Sequence, residues 1–180
     1  GAGYAVNVPL PPDTTDSGWL RAFHAVVPSL LTAFRPQILV TQCGVDTHAE
    51  DPLANLSLSV DGHREIYRCL RELAEETAGG KWLATGGGGY GLFRVVPRSW
   101  THLLATVLDR DLPGNTSIPP GWIAHTTTLT RQELPTTMTD GADTSFQPWT
   151  EGGERGDTGI IDARRAVFPM HGLDPDDPRD

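Results

Sequence analysis

Lysine is nearly missing from this chain: of 14 basic residues only Lys81 is a lysine, and the rest are arginines. Basic charge is scarce as a whole, with 23 acidic residues against those 14 and a formal net charge of −9. Nucleic-acid backbones are held by a basic face, and the sequence shows none, so DNA and RNA are not expected partners. No apolar run approaches the roughly 20 residues of a membrane-spanning helix, so no membrane association is expected either. Only two cysteines occur, Cys43 and Cys69, in different segments. Isolated thiols suit a reducing compartment better than a disulfide framework. With no secretory leader in view, a cytoplasmic location is expected. The chain lacks an initiating Met and opens on Gly1-Ala2-Gly3, so its natural start is expected upstream.

Apolar residues are also thin, at 38%, while Gly and Pro together number 35. The deficit is uneven. Residues 1–108 carry 8 basic and 10 acidic side chains, whereas residues 109–180 carry 6 and 13 and hold a dense mixture of Pro, Gly, Thr and Asp. This divides the chain into a folded α/β part, residues 1–110, and an irregular, acidic extension, residues 111–180, that packs on it or trails from it.

Within the first part, residues 4–10 alternate like a short strand ended by Pro11-Pro12. Trp19, Ala22, Phe23, Val26, Val27, Leu30, Leu31 and Phe34 then form one helical stripe. Thr15 or Asp16 can cap that helix, Pro28 can bend it, and Arg35-Pro36 stops it. Residues 37–43 read as a buried parallel strand, a continuous apolar run, and Leu56 and Leu58 as a brief extended piece. Asp61 can cap a second helix with Ile66, Leu70, Leu73 and Ala74 inward and Gly79-Gly80 as its end. Residues 81–85 make the next strand. A third helix over about residues 93–108 turns Val96, Trp100, Leu103, Leu104 and Val107 inward despite Pro97. The β-α-β-α-β-α order implies a mainly parallel sheet with flanking helices.

Beyond Leu112 the signals thin out. Trp122, Phe146, Trp149 and Phe168 read as scattered anchors, residues 162–167 as one helical turn, and residues 174–178 as disordered. No internal repeat is visible.

Two loops carry the chemistry, because reactions in open α/β sheets collect outside the carboxyl ends of the strands. TQCGVDTHAEDPL places Asp46 just past one strand. A carboxylate there can ligate a metal or simply bond its own loop backbone. His48 reads as a rim or supporting residue, and Asp51-Pro52 as a turn. ATGGGGYG places Tyr90 just past the next strand. Four consecutive glycines, Gly86 to Gly89, permit a tight turn, a phosphate cradle or a substrate wall. No Gly-Lys-Ser/Thr follows to favour the cradle. A phenol keeps its proton at neutral pH and can donate a hydrogen bond to a developing oxyanion.

Taken in order, GYAVNVPLPP, LVTQCGVDTHAEDPL and LATGGGGYGLFRVVPRSWTHLL resemble the C-terminal part of the histone deacetylase and acetoin utilization protein family, and RRAVFPMHGLDPD resembles the tail of its bacterial members. The resemblance implies a partial arginase/deacetylase-like fold. It also implies Zn(2+)-dependent removal of acetyl groups from lysine side chains of a protein such as a metabolic enzyme, in acetoin or acetate metabolism. By that resemblance Asp46 is a zinc ligand, Tyr90 polarises the acetyl carbonyl, and Gly88 and Gly89 line the substrate channel; His48, from its place in the loop, joins them as a substrate-binding candidate. Tyr4 then offers a backbone carbonyl to a K(+) ion. The family's other zinc ligands and its adjacent His pair have no counterpart among these six histidines. One carboxylate is too few for a catalytic zinc, so the chain alone is expected to be inactive and to need the missing N-terminal half. The alternatives are a non-catalytic remnant that binds an acyl ligand or a partner, and an acetylpolyamine amidohydrolase.

Overall fold

The stripe from Trp19 onward forms α1 (Asp16–Phe34) in the computed structural model, which describes residues 1–110, 112–150, 153 and 156–180. Arg35, in a left-handed conformation, closes the helix by donating its N–H to the Leu31 carbonyl at 2.9 Å. Pro28 sits inside the helix without ending it. The next apolar run forms β1 (Leu39–Gln42), followed by α2 (Val60–Ala78), β2 (Trp82–Thr85) and α3 (Val96–Val107). The two strands pair in parallel, Leu39 opposite Trp82 and Gln42 opposite Thr85. The single crossover between them runs through α2, as parallel pairing requires.

The core lies between helices and one face of this ribbon. Trp19 stacks on Phe23, and Phe23 packs on Cys69 and Leu73 of α2. Leu39 packs on Ala74 and Ala78, while Cys43 packs on Tyr67 and Leu103. The opposite face is bare: Ile38, Val40 and Leu83 are 58%, 61% and 55% exposed. The first strand, expected to be covered on both faces, is covered on one, because α1, α2 and α3 all supply side chains to the Leu39–Cys43 side.

Three further expectations need correction. Residues 4–10 join no ladder, and Tyr4 and Val6 are exposed; Val8 and Leu10 instead pack on the α1 core. Ser59 rather than Asp61 caps α2, accepting the Gly62 N–H at 3.0 Å. Asp61 accepts the backbone N–H groups of Asp140 and Ala142 and so ties the later chain to α2. In α3, Leu104 and Val107 are exposed, and the inward positions are taken by Arg98, Ser99, His102 and Leu103.

Residues 112–180 hold more regular structure than their composition suggests. They contain α4 (Pro120–Thr126), α5 (Thr158–Val167) and a 3-10 turn, Phe168–His171. Trp149, Ile160 and Phe168 join Ala22, Ala25 and Val26 of α1 in one apolar cluster. Residues 174–178, expected to be disordered, wrap the Arg164 guanidinium. It donates to the carbonyls of Ala25 (2.5 Å), Asp177 (2.6 Å), Pro175 (2.8 Å), Asp180 (2.9 Å) and Asp174 (3.2 Å). The same guanidinium is sandwiched by Trp149 and Phe168 at 4.2 and 4.1 Å from the ring centres.

Candidate active site at the ends of the parallel strands

Beyond the last paired residues the two chains stay together. Cys43 donates its N–H to the Thr85 carbonyl at 2.8 Å, and Val45 donates to Gly88 at 2.7 Å. That second bond presses the Asp46 loop onto the glycine run. A Cβ at Gly88 would lie 2.1 Å from Asp46 Oδ2, and one at Gly89 would lie 2.6 Å from Val45 Cγ2. Glycine is required here because backbone and carboxylate share the space. Asp46 is half-buried, and its carboxylate has no hydrogen-bond or ion-pair partner among the described residues. Loop aspartates usually bond their own backbone; this one packs on Gly88 instead.

Tyr90 follows at once. Its side chain is open to solvent at 48% exposure, while its backbone N–H donates to Asp51 Oδ2 at 2.9 Å. Asp51 is buried, and its other oxygen accepts the N–H groups of Leu53 and Ala54 at 2.9 and 3.3 Å. The turn expected at Asp51-Pro52 is thus present, but the residue also joins the two loops. Glu50 beside it grips Arg94 through both oxygens, at 2.6 and 3.0 Å. Nothing in the spacing of Asp51 and Tyr90 announced this contact across 39 positions.

Behind the loop lies a buried polar network. Thr47 bonds His63 Nε2 at 2.9 Å, His63 Nδ1 bonds Ser99 at 3.0 Å, and Ser99 bonds the Tyr67 hydroxyl at 2.8 Å. Burial pushes His63 down to about 3, helped by the nearby His48, so its ring is neutral. Burial also pushes the Tyr67 phenol above its ordinary value, so it keeps its proton. His48, expected at the substrate rim, is instead 3% exposed with both nitrogens engaged. Its Nδ1 accepts the Glu50 N–H at 3.0 Å, so Nε2 carries the proton and donates to Asp140 Oδ2 at 3.0 Å.

Asp140 also accepts the Val60 N–H at 2.8 Å and an Arg98 N–H at 2.7 Å. Burial alone would raise its carboxyl; the bonds from His48, Val60 and Arg98 outweigh that and hold it below the usual carboxylate range. Tyr4 is placed elsewhere, its ring against Phe34 and His171. Asp46, Gly88, Gly89 and Tyr90 therefore share one loop pair, His48 supports that pair from behind, and Tyr4 stands apart.

A catalytic zinc takes three protein ligands and water. Among the described residues no group of three or more His, Cys, Asp or Glu side chains is gathered. Asp46 alone is available, so these residues do not hold the metal by themselves.

This geometry has a family. Residues 1–107 match the model of the histone deacetylase domain, and the chain belongs to that family. It is 38% identical over 143 residues to the acetoin utilization protein AcuC of Bacillus subtilis, covering 79% of this chain and 36% of the relative. With AcuC of Staphylococcus xylosus it shares 35% identity over 140 residues, 78% of this chain and 36% of the relative. The chain thus spans about a third of the length of these relatives. The solved HDA15 HD domain superposes with a TM-score of 0.53 at 31% identity, over 60% of this chain and 30% of that one. The histone deacetylase Clr3 superposes at 0.54 with 22% identity over 71% and 21%, which supports the fold alone. The resemblance read from the motifs and the partial deacetylase-like α/β fold both hold.

Proposed function

We propose that this chain carries part of the active site of a zinc-dependent deacetylase that removes acetyl groups from lysine side chains, in a cytoplasmic setting tied to acetoin or acetate use. One observation supports this most directly: a carboxylate without partners, Asp46, packs on the glycine run that leads into an outward-facing phenol, Tyr90. Asp46 serves as one zinc ligand, and the remaining ligands come from outside these residues. Gly88 and Gly89 keep the wall of the acyl channel free of side chains. The Tyr90 hydroxyl donates a hydrogen bond to the oxygen that gains charge as the acetyl carbonyl is attacked, a contact strongest in the transition state. The B. subtilis and S. xylosus relatives are named for acetoin utilization, which motivates the metabolic setting.

The test uses the intact gene product that contains this chain, with an acetyl-lysine peptide and an acetylated polyamine as parallel substrates. Tyr90→Phe is expected to lower amide hydrolysis by about 10²–10³-fold, the size of one lost oxyanion donor, with zinc content unchanged. Full activity in that variant would overturn the role of Tyr90. Faster turnover of the polyamine would redirect the substrate assignment.

A further inference from the structure

We infer that Asp51 is the positioning residue that fixes Tyr90 for catalysis, with the neighbouring Glu50 as its auxiliary. The inference rests on the reading of Tyr90 given above and deepens it.

Four glycines, Gly86 to Gly89, precede Tyr90. These residues let the chain run close against Asp46 and Val45, but glycine has the widest backbone freedom of any residue. A side chain that follows four glycines inherits little stiffness from its own strand. The Val45 N–H holds the Gly88 carbonyl at 2.7 Å, and two further contacts from the same loop fix the chain at and beyond Tyr90. Asp51 Oδ2 accepts the Tyr90 N–H at 2.9 Å, at the residue itself. Four residues on, the Arg94 guanidinium is gripped by Glu50 at 2.6 and 3.0 Å. Both acids belong to the loop that carries Asp46. The phenol is thus indexed to the carboxylate across the loop pair. Asp51 is itself held rigid, because it is buried and its second oxygen closes the turn onto Leu53 and Ala54. Misplacing a reacting group by about 1 Å can cost roughly 10²-fold in rate.

A plain loop-closing role predicts the same contacts, so the test must isolate Tyr90. Asp51→Asn is isosteric. While its Oδ1 stays on the turn, its amide N–H faces the Tyr90 N–H, donor against donor. The experiment compares the intact gene product as wild type, Asp51→Asn, Tyr90→Phe and the double variant, reading kcat and KM on an acetyl-lysine peptide. In the wild-type background Asp51→Asn is expected to lower kcat by about 10- to 100-fold with little change in KM. In the Tyr90→Phe background it is expected to cost nothing further, since the group it positions is gone. An equal loss in both backgrounds would make Asp51 structural only, and no loss in either would also overturn the inference. If Tyr90→Phe itself keeps full activity, the reading of Tyr90 has failed, and the inference goes with it. Should Asp51→Asn not fold, Glu50→Gln carries the same cycle: a smaller loss that vanishes in the Tyr90→Phe background supports the clamp, and a loss that persists, or none, overturns it.

Discussion

In residues 1–110 the side chains that decide the structure are apolar and meet across α1, α2, α3 and one face of the β1–β2 ribbon. In residues 112–180 the anchors are fewer and several are ionic. Arg164 is fully buried with five carbonyls around it, and Asp140 gathers His48, Arg98 and the Val60 N–H. The two regions use different means because their compositions leave different means available. An acidic stretch rich in Pro and Gly has little apolar surface to bury. It can still be fixed if one cation satisfies many backbone carbonyls that would otherwise be stranded. The candidate-site loops draw on both regions, since Asp46 follows β1 while the neighbouring His48 is held by Asp140 from the later segment.

The largest effect on that contrast is expected at Arg164. Arg164→Met keeps much of the apolar stem but strands the carbonyls of Ala25, Asp174, Pro175, Asp177 and Asp180. Bonds to charged donors contribute more than neutral ones, so a loss of about 3 kcal/mol is expected in the unfolding free energy of the intact gene product. Limited proteolysis should then cleave within residues 172–180 before it cleaves α1. If stability and cleavage are both unchanged, the later segment is held by its apolar anchors alone.

A second effect, confined to a defined pH window, is expected from the buried network. His63 titrates at about 3 in the fold, because burial disfavours its cation, against roughly 6.5 in an unfolded chain. Acid therefore protonates the unfolded state first. The stability held by a neutral His63 is complete above about pH 6.5 and drains as pH falls toward 3, at up to about 1.4 kcal/mol per pH unit. Below about pH 4 the depressed Asp140 carboxyl adds a loss of the same sign. His24 and His102 are also lowered, chiefly by burial, and share the upper part of the window. Urea titrations between pH 7 and 4 should show a steep decline that His63→Gln makes shallower. An unchanged slope in that variant would remove His63 from the account.

How much of this was legible beforehand follows the same division. The α1 stripe, the Gly79 stop, the strands at residues 39–42 and 82–85 and the place of Asp46 and Tyr90 just past them sit in local pattern, because periodicity and turn residues act over a few positions; the parallel pairing follows from the β-α-β order. The polar braces do not. His48 and Asp140 stand 92 residues apart, and Asp51 and Tyr90 stand 39 apart. No period links such pairs, and a lone His or Asp looks the same in sequence whether it is buried or at a rim. The bare Ile38–Val40–Leu83 face was hidden for the opposite reason: an apolar run announces that a strand can be covered on both faces, not that both covers are present.

The smallest effect is expected at Arg71, which sharpens the comparison with Arg164. Arg71 also has several partners, donating to Glu75 at 3.0 Å, to the Thr106 carbonyl at 3.4 Å and to Asp109. A count of bonds would rank it as a second anchor. Its surroundings argue otherwise, because the side chains of Asp109 and Glu75 are 79% and 56% exposed. Water solvates every one of these groups when the contact opens, salt screens the charges, and holding long side chains in one geometry costs rotamer freedom. Around Arg164 the cation itself is fully buried and one acceptor, the Ala25 carbonyl, is buried with it, so opening the contact has less compensation of this kind. Arg71→Gln should therefore leave the thermal unfolding midpoint within experimental scatter at moderate salt. A drop approaching that of Arg164→Met would mean that the number of bonds, and not the burial of their acceptors, sets the strength of these anchors.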